Sequence, residues 1–316
     1  MPVPNLFIIG APKCGTTALA HYISEHPEAF ICDPKEPFYF CDDFPRLRQA
    51  QGLTDDAAYL ALFDGADPAR HKAIGEGSTN YLRSETAVAN ALRMNPDAKF
   101  IAMLRNPVEV VHAFHMELHF SRNEDEADFE TAWRLQDARA RGERIPESAQ
   151  AELWLQYREM AMFSRQIERF FALVPEDQRL VLLQEDLNAD CGAVYRQALA
   201  FLGLPDDGRT EFPRVNAAHA HRSEFLAKLI LTPPGPLKAP VEALRSALRR
   251  NRIPLVETLK RKLRKDATRE AMSPAFRAEL EDLYREDVAR TGALLGRDLS
   301  HWLPARDPAS APAAAG

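Results

Sequence analysis

Cysteine is scarce in this sequence and shows no pattern. The 316 residues include four cysteines, and none of them belongs to a CxxC pair or has the spacing of metal ligands. The sequence therefore excludes a disulfide framework as the basis of the fold, and a reducing compartment fits best. The four are Cys14, Cys32, Cys41 and Cys191.

Long apolar runs are also missing. The first apolar stretch covers only residues 6–10, which is too short for the hydrophobic region of a signal peptide or for a membrane span. Together with the cysteine usage, this predicts a cytoplasmic protein. The net charge of −6 gives no general argument for binding nucleic acid or membranes, so any anion site must be local.

Short apolar runs alternate with helical patterns along the chain. The runs at 6–10, 98–104 and 180–183 are continuous, which is typical of strands buried on both faces of a parallel sheet. Helical patterns follow the runs, from Thr17, Val108 and Val194. The order predicts an α/β fold, a P-loop-like three-layer sandwich with a central parallel sheet and helices on both faces.

The predicted domain extends over residues 1–306. Within it, residues 232–270 form a basic helical insertion that is Pro-rich at its start, with ten Lys or Arg against two Glu between Lys238 and Lys265. This pattern is typical either of a solvated helical face or of a lid or docking segment for an anionic acceptor. The tail, residues 307–316, is rich in Ala and Pro and is predicted to be disordered.

A glycine-containing loop joins the first predicted strand to the first predicted helix. Residues 10–17 read Gly-Ala-Pro-Lys-Cys-Gly-Thr-Thr, with the glycine spacing of a P-loop. Such a turn directs backbone N–H groups and a helix N-terminus at an anion, which predicts a nucleotide phosphate as ligand. In ATP-binding P-loops a lysine follows the second glycine, but here Thr16 takes that position and Lys13 lies inside the loop. This argues against a P-loop kinase, which stays the alternative enzyme class.

A second anion site is predicted at Arg105. This arginine follows the second predicted strand, so it lies at the carboxyl edge of the sheet, where open α/β folds bind ligands. The glycine-containing loop belongs to the same edge. Because a guanidinium matches the geometry of a phosphate, a nucleotide with phosphates at both its 5′ and 3′ ends would occupy both sites.

These motifs resemble those of the sulfotransferases that depend on 3′-phosphoadenosine 5′-phosphosulfate (PAPS), a family that includes the sulfotransferase domains of the heparan sulfate enzymes and many bacterial members. Residues 12–17 resemble the family's 5′-phosphosulfate loop, and residues 104–109 resemble its 3′-phosphate motif. Residues 35–40 are similar to the acidic segment that follows the first helix. Three later segments are also similar to the family: residues 183–187, 201–205 and 294–299.

The resemblance implies an enzyme that moves a sulfuryl group from PAPS to a hydroxyl or amine, without a metal. The acceptor would be a small molecule, lipid or carbohydrate, and no nucleic acid partner is implied. Glu36 matches the glutamate that acts as base in the heparan sulfate enzymes, and Lys13 would stabilise charge on the bridging oxygen. The implied cofactor-binding residues are Lys13, Cys14, Gly15, Thr16, Thr17, Arg105 and, in a segment similar to the late cofactor-closing loop, Arg222.

Ala113 departs from the family pattern. The family usually has a serine here that helps to bind the 3′-phosphate, so either His112 or His115 replaces it as a donor or the site is weaker. A nucleotide-binding protein without catalysis is therefore a second alternative. His112, His115 and His119 share one face of the predicted helix but lack the HExxH pattern, so no metal site is predicted.

Gly77 is a second departure. It follows Glu76 at a position where the heparan sulfate enzymes have a lysine, which argues against a heparan-like acceptor. A histidine base in place of Glu36 stays open. The candidate residues for the acceptor site are Lys35, Glu76, His112 and His115.

Overall fold

A parallel sheet of five strands forms the centre of the computed structural model, which describes residues 1–213, 219–221, 264–266 and 271–303. The strand order is β2-β3-β1-β4-β5, and every pairing is parallel. Continuous burial of the central strands agrees with helices on both faces of the sheet. The strands are β1 (Leu6–Gly10), β2 (Ala29–Ile31), β3 (Ala73–Glu76), β4 (Lys99–Leu104) and β5 (Arg179–Leu183).

Helices connect the strands and cover the sheet. The part of the chain that the structure describes contains four short 3-10 helices, at Ala61–Phe63, Glu152–Leu155, Glu176–Gln178 and Ser300–Trp302. The α-helices of the described residues are α1 (Thr16–Ser24), α2 (Pro45–Gln51), α3 (Asp56–Leu60), α4 (Ala87–Met94), α5 (Pro107–Phe120), α6 (Phe129–Arg134), α7 (Gln136–Ala140), α8 (Tyr157–Met160), α9 (Phe163–Leu173), α10 (Gln184–Ala189), α11 (Cys191–Leu202) and α12 (Pro274–Leu295).

The central position of β1 places its carboxyl end between those of two neighbours. β1 pairs with β3 on one side and with β4 on the other, and all three strands run in the same direction. The segments that follow them therefore emerge at one edge of the sheet. This edge brings the loop after β1, the residues after β3 and Arg105 after β4 next to one another.

The predicted fold is confirmed, although two strands were not foreseen. The apolar runs at 6–10, 98–104 and 180–183 correspond to β1, β4 and β5. The missing strands, β2 and β3, have only three and four residues, and β3 ends in a glutamate. β2 is apolar but too short, and β3 is interrupted by a glycine and a glutamate, so neither shows the continuous apolar run of a buried strand.

Residues after Pro213 are described only in part. An antiparallel pair joins β6 (His219–His221) to β7 (Arg264–Asp266). Residues 264–266, within the segment 232–270 predicted to be a basic helical insertion, thus belong to a strand, and the rest of that segment lies outside the described residues. Arg222 and the tail 307–316 also lie outside them, and the domain limits 1–306 stay a prediction.

The C-terminal helix α12 returns to the core of the fold. Asp287 on α12 accepts hydrogen bonds from the backbone N–H of Phe163 (2.9 Å) and from both the N–H (3.1 Å) and the hydroxyl (2.6 Å) of Ser164, at the first turn of α9. These bonds satisfy N–H groups that the helix itself leaves unpaired. Arg297, just after α12, donates to Asp186 of α10 at 2.9 Å. Two of the segments that resemble the family, residues 183–187 and 294–299, therefore contact each other.

Among residues 1–213 and 271–303, none of the helices combines the length and apolar composition that crossing a bilayer requires.

Candidate active site

The loop between β1 and α1 has the backbone conformation of an anion-binding turn. Lys13 and Gly15 adopt positive φ angles of 63° and 91°, a region that non-glycine residues seldom enter outside functional sites. Gly10, which begins the loop, permits a close backbone approach, because a Cβ there would lie 2.7 Å from the carbonyl oxygen of Thr79. The loop is thereby packed against the segment that follows β3.

The N-terminus of α1 is open to a ligand. Gly15 occupies the cap position and offers no side chain to it, and the first turn contains no acidic residue. The carbonyl of Gly15 accepts the N–H groups of Ala18 and Leu19. The N–H groups of Thr16 and Thr17 precede these and point out of the helix end, where the helix dipole favours an anion.

The side chains of the loop divide into exposed and buried ones. The Nζ of Lys13 lies 3.3 Å from Oε2 of Glu117 on α5, and both side chains are partly exposed. Cys14 is fully buried, and burial raises the pKa of its thiol to about 12. The thiol therefore stays protonated and donates to the carbonyl of Pro12, so Cys14 faces the core and not a ligand.

Arg105 lies beside the loop, as the common sheet edge predicted. Its Nη1 donates to the carbonyl of Lys13 at 3.2 Å, and its Nη2 lies 3.5 Å from Oε2 of Glu109. The other oxygen of Glu109 accepts from Nη2 of Arg277 on α12 at 3.0 Å. Asn106 caps α5 by accepting from the N–H of Val108. Arg105 is thus fixed between the loop and the start of α5.

Glu36 lies in the loop after β2, with each carboxylate oxygen held by a different donor. Oε1 accepts from Nζ of Lys35 at 3.0 Å, and Oε2 accepts from the hydroxyl of Thr79 at 3.0 Å. The side chain remains 31% exposed, so it is oriented but still accessible. Since Thr79 also packs against Gly10, the carboxylate is linked through one residue to the start of the phosphate loop.

Glu76, at the end of β3, is completely buried and points away from solvent. Its carboxyl group accepts from the hydroxyls of Tyr59, Tyr81 and Ser78. Burial raises the pKa of Glu76 to about 7, against the opposing effect of the three hydroxyl donors and of Lys35. In these surroundings its carboxyl group contacts protein groups and offers no face to an acceptor.

His112 and His115 lie on the side of α5 that packs into an aromatic cluster. His112 stacks on Phe129 with ring centroids 5.2 Å apart, and Nε2 of His115 lies 2.9 Å from the carbonyl of Glu126. Both are buried, and burial lowers the pKa of His115. The structure therefore surrounds these two candidates for the acceptor site with core residues. Ala113 between them is buried as well.

Two further predictions concern metal ligands and Arg222. Within the part of the chain that the structure describes, His, Cys, Asp and Glu side chains form no group of three that could hold a metal ion. Arg222 lies outside that part. Three contributors that the sequence reasoning missed are Thr79, Glu117 and Arg277; of these, only Thr79 has a local signal, since it follows a strand at the ligand-binding edge.

A parallel α/β sheet whose central strand leads into a glycine-containing loop and an open helix N-terminus defines a P-loop-like fold. The model of the family described as "Sulfotransferase domain" matches residues 3–220, which is more than half of the chain. The chain therefore belongs to the sulfotransferase domain family, and the P-loop kinase alternative is set aside.

Three similar proteins illustrate the relationship. The chain is 27% identical over 205 residues to human bifunctional heparan sulfate N-deacetylase/N-sulfotransferase 3, in a match that covers 64% of this chain and 22% of that protein. It is 30% identical over 163 residues to mouse carbohydrate sulfotransferase 15, covering 40% and 29%. The chain thus spans less than a third of either relative. A crystal structure of a sulfotransferase from Alicyclobacillus acidocaldarius superposes with a TM-score of 0.69 at 26% identity, covering 96% of this chain and 99% of that one.

Proposed function

We propose that this protein transfers a sulfuryl group from PAPS to a hydroxyl or amine of an acceptor by in-line displacement. The observation that carries the proposal is the hydrogen bond from Arg105 to the carbonyl of Lys13. This bond holds the Arg105 guanidinium, which matches the geometry of a phosphate, directly beside the phosphate loop. A ligand with anionic groups at two ends suits such an arrangement better than one with a single phosphate chain.

The donor would bind along this edge of the sheet. The N–H groups of Thr16 and Thr17 and the ammonium of Lys13 would hold the 5′-phosphosulfate, and Arg105 would hold the 3′-phosphate. On binding, Lys13 would exchange its contact with Glu117 for one with the donor. Its charge then stabilises the oxygen that bridges sulfur and phosphorus as that bond breaks.

Glu36 would act as the general base. In the transfer step the acceptor oxygen or nitrogen forms a bond to sulfur while the bond from sulfur to the bridging oxygen breaks. The electron pair of the broken bond leaves with 3′-phosphoadenosine 5′-phosphate (PAP), and the acceptor proton passes to the Glu36 carboxylate. The link from Glu36 through Thr79 to Gly10 supports this role, because it keeps the base close to the donor loop.

Calorimetric titration with PAP in the absence of metal, beside AMP and Mg-ATP, tests the donor site. We expect PAP to bind more tightly than either competitor and the Arg105→Ala variant to lose about 10–100-fold in affinity, the range of a charged hydrogen bond. Preference for Mg-ATP would contradict the proposal. A screen with radiolabelled PAPS against a phenol, a sugar alcohol and an amino sugar then tests transfer, and PAP binding without any transfer would favour a protein that binds the nucleotide without catalysis.

A further inference from the structure

The ammonium of Lys35 is held at a fixed place beside Glu36. Its Nζ donates to Oε1 of Glu36 at 3.0 Å and to the carbonyl of Gly77 at 2.8 Å. The backbone N–H of Gly77 donates to the carbonyl of Lys35 at 2.9 Å, so the two segments are also joined through their main chains. The Lys35 side chain is only 19% exposed. Two acceptors and this burial restrict the ammonium to one position.

Gly77 provides the space that the Lys35 side chain occupies. A Cβ at position 77 would lie 2.9 Å from Cε and 3.2 Å from Nζ of Lys35. The backbone of Gly77 does not adopt a positive φ, so its conformation is open to other residues. A side chain at position 77 would therefore displace the end of the Lys35 side chain from this place.

We propose that Lys35 is a positioning residue that orients the Glu36 carboxylate for proton removal, and that Gly77 leaves the space for the Lys35 side chain. The inference rests on the proposed function, in which Glu36 is the base. A side chain at position 77 would begin where the end of Lys35 lies, so Gly77 leaves the ammonium its place beside Glu36.

The two donors to Glu36 differ in strength. The ammonium of Lys35 makes a charge-assisted hydrogen bond, which is about twice as strong as the bond from the neutral hydroxyl of Thr79. Without Lys35 the carboxylate keeps only the weaker donor and is free to rotate away from the acceptor. Because this affects the base and not the donor site, turnover should fall while PAP affinity stays the same.

Kinetics of single variants give the first test, with radiolabelled PAPS and the best acceptor from the screen, or water if none is found. We expect Lys35→Met to lower kcat about 10–100-fold, the range of a lost charged hydrogen bond, with the PAP dissociation constant within twofold of wild type. Lys35→Arg, which keeps the charge, should recover part of the loss. Lys72→Met is the matched control, since Lys72 is exposed and pairs only with Glu28 among its described contacts.

Paired variants then test the link to Gly77. Gly77→Ala should lower kcat by displacing Lys35, but it should cause no further loss in Lys35→Met, where no ammonium is left to displace. Lys35→Met combined with Gly77→Lys should regain about 10-fold over Lys35→Met alone, because the residue after β3 then supplies an ammonium near Glu36. Gly77→Ala retains the lysine, so it remains informative if Lys35→Met does not fold.

Two results separate the failure of this inference from that of the proposed function. The role of Lys35 would be overturned if kcat of Lys35→Met stayed within twofold of wild type, or if the losses from Lys35→Met and Gly77→Ala were additive. In either case, a large loss of kcat in Glu36→Gln would still support Glu36 as the base. Full turnover in Glu36→Gln would remove the base and the role of Lys35 together. Thermal melting of each variant distinguishes loss of catalysis from loss of fold.

Discussion

The two sides of the candidate active site hold their cations with different kinds of partner. On the donor side, Lys13 pairs with the half-exposed carboxylate of Glu117. On the base side, Lys35 is bonded to a main-chain carbonyl and to Glu36, and it is largely buried. A surface carboxylate is a weak partner that a phosphate can replace, whereas Lys35 is held in a largely buried position by the carbonyl of Gly77. In the proposed function, the donor side can therefore exchange one anion for another, and the base side is already ordered by contacts within the protein.

Replacement of Glu36, the proposed base, should lower kcat more than any other change considered for the two sides. Glu36→Gln retains the shape of the side chain but cannot accept the acceptor proton, so kcat should fall by about 10²–10⁴-fold, the range of general base catalysis. The affinity for PAP, measured by calorimetry, should stay within twofold, because the donor side is built from other residues. A large change in PAP affinity would mean that the two sides are not separate.

Glu76, on the base side, should contribute to the pH dependence of stability. Burial raises the pKa of Glu76 in the folded state to about 7, whereas the ordinary value is 4.5. Between these values the folded state binds more protons than the unfolded chain, so the contribution of Glu76 to stability is fully present below pH 4.5 and is lost as pH rises through about 7. The total is on the order of 3 kcal/mol, since one pKa unit corresponds to about 1.36 kcal/mol.

Urea unfolding of wild type and Glu76→Gln at pH 5 and pH 8 measures this effect. The difference between the two proteins isolates Glu76, because all other titrating groups are shared. Wild type should lose stability relative to the variant on going to pH 8. Parallel behaviour of the two proteins would show that Glu76 does not titrate in this window.

A change of cation type should have a smaller effect on the donor side. Arg105→Lys keeps the positive charge but loses the planar fork, so the bonds to the carbonyl of Lys13 and to a phosphate cannot form together. We expect about a 10-fold loss in PAP affinity, the equivalent of about 1.4 kcal/mol. Arg134→Lys is the control, since Arg134 is half exposed and pairs with Glu130 and Glu279. Equal losses in the two variants would indicate a general effect of charge.

Removal of the Glu117 carboxylate, which competes with the ligand for Lys13, should give the smallest effect. It should raise PAP affinity instead of lowering it. Glu117→Gln frees Lys13 from its ion pair, and exposed pairs of this kind contribute about 0.2–1 kcal/mol. PAP affinity should therefore rise by about two- to fivefold at low salt, and less at high salt. Glu143→Gln, at an exposed pair with Arg141, should leave it unchanged. Weaker binding in Glu117→Gln would show that Glu117 supports the loop instead of competing with the ligand.

The sequence carried enough information for the centre of the fold and for the common position of the phosphate loop and Arg105. Three strands are continuous apolar runs, and the phosphate loop and Arg105 follow two of them directly, so local patterns placed both at one edge. The strand β3 left no such signal, because a glycine and a glutamate interrupt its four residues. Burial of Glu76 is possible only because hydroxyls from Tyr59, Ser78 and Tyr81 converge on it, and no local pattern reveals that convergence.

The histidines of α5 illustrate the converse difficulty. His112 and His115 stand on one face of the helix, and polar residues on one face suggest a site. The face packs on Phe129 and other aromatic rings, which only the tertiary structure could show. Lys35 is the opposite case, because nothing in the sequence distinguishes it from other charged residues. Its proposed role depends on the space left by Gly77, which belongs to a separate segment.

The core of the fold holds the chain on both sides of residues 214–270. On one side, the hydroxyl of Tyr22 donates to the carbonyl of Pro213 at 2.9 Å. On the other side, Asp287 of α12 accepts from the backbone and side chain at the start of α9. Both attachments are made entirely by residues 1–213 and 271–303, so a substitution between residues 214 and 270 leaves the partners of both attachments unchanged.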